Sequence, residues 1–321
     1  MVKWIKRILA VLVIVIAAGL AYIRLVLPNV GKPENLVITA TPEMVARGAY
    51  LANHVTVCID CHSKRDWSKF SGPLIDGTEG MGGDAFTKEF GFPGTFYAKN
   101  ITPAGIGEWT DGELLRAISC GVSRDRKAFF PVMPYPYYAH MDKDDIIAII
   151  AYIRTLKPIK NDVPASEPAF PFNLILNTIP QDAAFTHKPA KAINAAYGAY
   201  IVNAAGCAEC HTNAVKGKKV EGMDFAGGRE FVIPGPKKIV SSNITPDKET
   251  GIGYWTEDAF VSKFKAFEDK SKLADYKSPK DYQSMMPWSM YAGMDSTDLK
   301  AIFAYLKSLK PIHNKVEANP K

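Results

Sequence analysis

The sequence predicts a mainly α fold in which two tandem copies of one small helical domain follow an N-terminal transmembrane helix. Three observations predict it. An apolar run opens the chain, three sequence blocks occur twice in the same order, and apolar residues recur at helical spacing while strand-like alternation is weak. The length, 321 residues, suits two domains of ordinary size after an anchor.

The opening run is the first element. Lys3, Lys6 and Arg7 precede an uncharged stretch from Ile8 to Ile23, and Leu25, Val26 and Leu27 follow the single Arg24. Continued to Leu27, the stretch spans about 30 Å at ~1.5 Å per residue, the thickness of a bilayer's hydrocarbon core. Positive charge stays in the cytoplasm, so residues 1–27 read as an anchor with the remainder exported, and Arg24 can snorkel to the outer interface. A cleaved signal peptide is the alternative, with Gly19, Leu20 and Ala21 as small residues near a cleavage site. Either way the expected location is the periplasmic face of a bacterial inner membrane. The net charge of +6 is spread out, with no long basic run, which excludes a nucleic-acid partner.

Beyond a linker at 28–40 the chain is one unit written twice. "RGAYLANHVTVCIDCH" (47–62) matches "YGAYIVNAAGCAECH" (197–211), and "NITPAGIGEWTD" (100–111) matches "NITPDKETGIGYWTE" (243–257). "VMPYPYYAHMDKDDIIAIIAYIRTLKPI" (132–159) matches "MMPWSMYAGMDSTDLKAIFAYLKSLKPI" (285–312). The expected domains are 41–160 and 193–314, joined by a proline-rich strap, 161–192. An apolar knot within it, Phe170 to Ile179, is too short to cross a bilayer and reads as packing across both domains, with a second membrane contact as the alternative.

Each unit begins and ends with a helix. Thr41 before Pro42 and Glu43 is an N-terminal cap. Asp142 caps the closing helix of the first unit, with Met141 and Ile146 as a hydrophobic staple, and Met294, Asp295 and Leu299 repeat that device. Apolar stripes run through Ile146, Ile149, Ile150 and Ile153, and through Leu299, Ile302, Phe303 and Leu306.

Four of the five cysteines lie in "CIDCH" (58–62) and "CAECH" (207–211). C-x-x-C-H is the covalent attachment site of c-type haem: the thiols add to the two porphyrin vinyl groups, and the adjacent histidine then lies under the ring with Nε2 on iron. A zinc site or a thioredoxin-like pair explains neither the separation nor a histidine after both pairs. Two covalently bound haems are therefore expected, on Cys58 and Cys61 and on Cys207 and Cys210, with His62 and His211 as proximal ligands. Cys120, in "LLRAISC", reads as a small core residue.

The sixth iron position separates a carrier, with both axial sites filled, from an enzyme acting at an open iron. Met133 and Met286 precede proline in aromatic loops without helical period, whereas Met141 and Met294 already serve as staples. Met133 and Met286 are the expected distal ligands. Met285, beside Met286, aligns with Val132, which cannot ligate iron, so that position reads as packing. A longer segment before Met286 (268–283) adds Lys270, Lys272, Lys277 and Lys280, a solvated loop or a docking face for an acidic partner.

On these pentads and loops the chain resembles class I cytochromes c, twice over, across residues 42–159 and 193–312. The resemblance implies two tandem class I cytochrome c domains, each a small helical bundle around one haem with its first and last helices crossing closely. It implies that Gly48 and Tyr50, or Gly198 and Tyr200, meet Tyr152 or Tyr305 at that crossing. It also implies that the Pro73 carbonyl accepts from Nδ1–H of His62, with His211 secured otherwise, and that Trp109, Trp255, Asn100 and Asn243 lie near the haem propionates. The pattern NITP…GIG…WT…MP is similar to that in the cytochrome subunits of periplasmic dehydrogenases for alcohols and sugar acids. Those carry three haems and a C-terminal anchor, where this chain has two pentads and an N-terminal apolar run.

The expected function is electron transfer by a membrane-anchored dihaem cytochrome c. The donor is a dehydrogenase or a quinol-oxidising complex, and the acceptor a terminal oxidase or a soluble cytochrome. The alternative is a dihaem redox enzyme of the peroxidase or thiosulfate-oxidising type with one open iron.

Overall fold

The computed structural model describes residues 1–215, 217–232, 238–269, 273 and 283–317. Helix α1 (Val2–Leu25) buries none of its side chains against protein. It is the one helix among the described residues long and apolar enough to cross a membrane. Lys270, Lys272, Lys277 and Lys280 lie outside the described residues.

Beyond α1 the protein is mainly helical, and the same succession of elements occurs twice. In the first half α2 (Pro42–Tyr50) runs through a π-helical turn, Leu51–Val55, into the short α3 (Cys58–Cys61). There follow α4 (Asp111–Cys120), a one-turn helix Tyr135–Tyr138 and α5 (Lys143–Ile153). The second half repeats these as α6 (Ala195–Ala204), α7 (Cys207–His211), α8 (Glu257–Lys265), a one-turn helix Trp288–Tyr291 and α9 (Ser296–Ser308).

The caps form as the sequence predicts. Thr41 Oγ1 accepts from the Met44 amide, Asp142 from Asp144, and Asp295 from Asp298. The staples Met141 with Ile146, and Met294 with Leu299, are fully buried, so burial fixes the entry angle of α5 and α9. Cys120 is buried in the same core.

In each half the first and last helices cross at a glycine. A methyl on Gly48 would overlap the Ala148 carbonyl and crowd Cβ of Tyr152, and one on Gly198 would overlap the Ala301 carbonyl and crowd Cβ of Tyr305. The expected crossing residues are therefore Gly48 with Tyr152 and Gly198 with Tyr305. The tyrosines Tyr50 and Tyr200 depart from expectation, because their hydroxyls leave their own half. Tyr50 donates to Asp298 and Tyr200 to Asp145, each at 2.7 Å.

The strap also departs from a simple bridge, since most of its contacts are with the first half. Glu167–Pro168 adds the third strand to a small antiparallel sheet with Ala85–Phe86 and Gly94–Tyr97, with Gly94 opposite Pro168 and Ala85 opposite Tyr97. Phe172 meets Phe130 edge-on at 5.4 Å. Lys188 pairs with Asp145, and only at Lys191 does the strap reach Asp295 and Asp298.

Candidate functional site

Each pentad occupies one helical turn entered from a residue with positive φ, Val57 at +46° and Gly206 at +63°. Glycine takes that conformation freely, whereas a β-branched valine is strained by it. The first pentad thus holds its entry geometry against a local cost. Cys58, Cys61 and Cys207 are half-buried and Cys210 is exposed, and none of them forms a disulfide. Burial pushes the Cys61 and Cys207 thiols up to about 12.

The histidines are held by backbone. Nδ1–H of His62 donates to the Lys99 carbonyl at 2.6 Å, and that of His211 to the Ser242 carbonyl at 2.8 Å. This corrects the expectation for Pro73, whose carbonyl accepts from the Asp66 amide instead. Burial depresses the basicity of both imidazoles, opposed in part by these bonds. A neutral ring that donates through Nδ1 keeps its lone pair on Nε2, as an iron ligand requires.

Lys99 and Ser242 stand immediately before the two N-I-T-P blocks, which explains what those blocks do. Asn100 Oδ1 accepts from the amide and hydroxyl of Thr102, and its Nδ2 donates to the Ile159 carbonyl. Asn243 repeats this with Thr245 and Ile312, and its Nδ2 also donates to Thr250. The asparagines, expected near propionates, are thus engaged in pinning the loop that presents the carbonyl. Trp109 is half-buried against the core, and Trp255 is 39% exposed.

The Met-Pro loops lean across the molecule. Met133 and Met286 both pack against the core. The segment after each loop is held by the helix that leads into the other half's pentad. Nδ1–H of His54 donates to the Met290 carbonyl at 2.9 Å, and Asn203 Nδ2 to the Tyr137 carbonyl at 3.0 Å, residues that correspond in the repeat. The Tyr137 hydroxyl donates to Glu209, inside the second pentad, at 3.1 Å, and Ser71 donates to the Met286 carbonyl.

Sequence reasoning missed one further device. Both pentads carry an acid at their third position, and each acid meets an arginine. Arg65 bonds Asp60 at 2.9 Å and Asp84 at 3.2 Å, with its guanidinium 4.2 Å from the Trp67 ring centroid. Arg229 bonds both the carbonyl and the carboxylate of Glu209. Burial pushes Asp60 up to about 6, countered by Arg65. The shared acid was the visible signal, although the arginines occupy different offsets from their pentads.

The donor set fits covalently held haem: two thiols outside any disulfide and an imidazole that donates through Nδ1 on one turn, with a methionine loop packed on the same core. Tyr135, two residues after Met133, adds a buried hydroxyl without a hydrogen-bond partner among the described residues, as a missing acceptor would leave it.

Comparison with known proteins agrees. The cytochrome c family model matches residues 195–310. The chain is 30% identical, over 85% of its length, to the cytochrome c subunit of a quinone-dependent alcohol dehydrogenase from Gluconacetobacter polyoxogenes, of which it spans 57%. It is 27% identical to the cytochrome c subunit of a gluconate 2-dehydrogenase from Pantoea cypripedii, covering 84% of this chain and 60% of that one. The chain therefore spans less than two thirds of these relatives. A diheme c-type cytochrome from Cereibacter sphaeroides is 31% identical over 76% of this chain and 80% of its own length. Similarity that extends across most of a relative reaches well beyond a five-residue motif, and the chain belongs to the cytochrome c family.

Proposed function

We propose that the chain is a membrane-anchored, periplasm-facing dihaem cytochrome c that relays electrons from a dehydrogenase or a quinol-oxidising complex to a terminal oxidase or a soluble cytochrome. Residues 41–160 and 193–314 each form one cytochrome c domain, behind the anchor at residues 1–27. Cys58 and Cys61 would hold one haem, with His62 and Met133 as its iron ligands, and Cys207 and Cys210 would hold the other, with His211 and Met286 as its iron ligands. Bound haem supplies a one-electron iron couple, and thioether ligation raises its potential. The chain's residues orient the imidazoles, fill the sixth positions and keep water from the metal.

The observation that carries this reading is the repeated histidine anchor, Nδ1–H to Lys99 in one half and to Ser242 in the other. Both sites thereby present the same tautomer for ligation. The names of the alcohol and gluconate dehydrogenase relatives support a dehydrogenase as electron donor.

Purification from native membranes tests the reading. The expected result is two haems per chain that survive denaturation, with dehydrogenase or oxidase subunits copurifying. Haem extracted by acid acetone, or one haem per chain, overturns the dihaem assignment. Carbon monoxide binding by the reduced protein would favour an enzyme with an open iron.

A further inference from the structure

The strap holds no charged residue between Glu167 and Asp182, and its apolar knot lies within that gap. The knot does not fold its side chains away: Phe170 is 80% exposed and Ile175 is 47% exposed, whereas Leu176 is buried. Its place is nevertheless fixed at two points. Phe172 packs against Phe130, and Asn177 Nδ2 donates to the Ile23 carbonyl at 3.3 Å, close to the end of α1. The neighbouring α1 side chains are bare as well, Tyr22 and Leu25 among them. Knot and helix end therefore make one apolar surface, with Arg24 as the charge beside it. A contiguous surface of this kind marks an interaction site, unlike single exposed apolar residues.

We propose that Phe170–Ile179 is a second membrane contact, with Phe170 and Ile175 seated at the headgroup–acyl boundary of the leaflet that receives the C-terminal end of α1. The proposal rests on the anchoring reading given above. A phospholipid surface fits the chemistry: the aromatic and branched side chains enter the acyl region, while the exposed Asn173 offers a neutral polar group to the headgroups. The charge-free stretch brings no carboxylate against anionic lipid, and Arg24 is within reach of lipid phosphate by snorkelling. A lone spanning helix leaves the exported domain free to swivel. A second contact lying in the membrane plane, joined to the first half through Phe130 and the Glu167–Pro168 strand, holds that half at one tilt.

The full-length chain carrying p-benzoylphenylalanine in place of Phe170, Ile175 or Ile14 is reconstituted into phosphatidylcholine–phosphatidylglycerol vesicles, irradiated and analysed by mass spectrometry. Phospholipid adducts are expected at all three positions. Adducts at position 14 with none at 170 or 175 overturn the second contact and leave the anchor standing. No lipid adduct at 14 overturns the anchoring reading and the proposal with it. In native membranes, adducts from 170 to another polypeptide in place of lipid assign the knot to a protein partner and overturn the proposal.

Discussion

The hydroxyl of Tyr50 lies 2.7 Å from Oδ2 of Asp298, although 248 positions separate them in sequence. Tyr200 makes the corresponding bond to Asp145 at the same distance. Both aspartates are wholly buried at the start of a closing helix, and each has a second partner from within its own half, Arg47 for Asp145 and Tyr197 for Asp298.

Removing one hydroxyl therefore weakens a charge-assisted bond between the halves. Tyr200→Phe is expected to cost about 1.5–3 kcal/mol, the usual range for a hydrogen bond to a charged group. Asp145→Ala is expected to cost about 3–5 kcal/mol, because it leaves Arg47 without its buried partner. Urea denaturation measures both, and a Tyr200→Phe variant as stable as the parent would show that the crossed bond contributes nothing.

The same network sets pH limits. Burial pushes the Asp145 carboxyl up, but the Arg47 hydrogen bond and charge, with Lys188 and Tyr200, hold it below its ordinary 3.8. The unfolded chain therefore takes up this proton first as pH falls, and stability present above about pH 4 is lost below it. Burial, then the neighbouring aspartates, raise Tyr50 and Tyr200 above their ordinary 10.0. The unfolded tyrosines ionise first, so stability present below pH 10 declines as pH rises past it. Melting temperature against pH is expected to show both limbs, and Asp145→Asn should flatten the acid one.

The helix crossings leave no room for a side chain. Gly48→Ala and Gly198→Ala each bring a methyl against a backbone carbonyl that cannot rotate away. Each is expected to cost about 3 kcal/mol, at the upper end of the overpacking range. A change in unfolding midpoint below the level of a surface substitution would mean that the helices part easily.

Asn100→Ala removes the acceptor for Thr102 and the donor to Ile159, and Asn243→Ala does the same in the second half. Each buried group left unpaired costs about 1–3 kcal/mol. Each variant also loosens the carbonyl that orients a histidine. Broadened low-spin electron paramagnetic resonance signals are expected from the affected haem, and unchanged line widths would restrict the asparagine to fold stability.

At the second Met-Pro loop, Met286 packs on the core while Met285 is half-buried. Met286→Ala is expected to abolish the thioether-to-iron absorption of one haem, lower its potential and admit carbon monoxide. Met285→Ala should leave the spectrum unchanged and cost less than the roughly 2–5 kcal/mol of a fully buried methionine. The reverse pattern would exchange the two assignments.

Much of this was legible in the sequence. The pentads, staples and caps depend on side-chain type at fixed spacing, which a sequence displays directly, whereas the crossing glycines came from the resemblance to class I cytochromes c. The histidine anchors were not legible, because the acceptors are backbone carbonyls and a carbonyl has no sequence identity. Only its place before Asn100 or Asn243 marks it, and the same loop geometry withdrew Pro73 from the role. The Tyr50–Asp298 and Tyr200–Asp145 bonds were hidden for another reason. Repeat alignment pairs equivalent residues, whereas these contacts join each residue to the partner of its equivalent.

That exchange has the form of a symmetric contact. In a dimer with two-fold symmetry, residue i of one subunit touches j of the other while j touches i. Tyr50 with Asp298 and Tyr200 with Asp145 follow this rule, as do His54 with Met290 and Asn203 with Tyr137. The contacts between the two halves thus follow the reciprocal pattern of an isologous interface. Joining the two in one chain makes such an interface intramolecular, so its occupancy no longer depends on protein concentration. Within one chain the two halves need not be identical, and Arg47 and Tyr197 differ at one shared position.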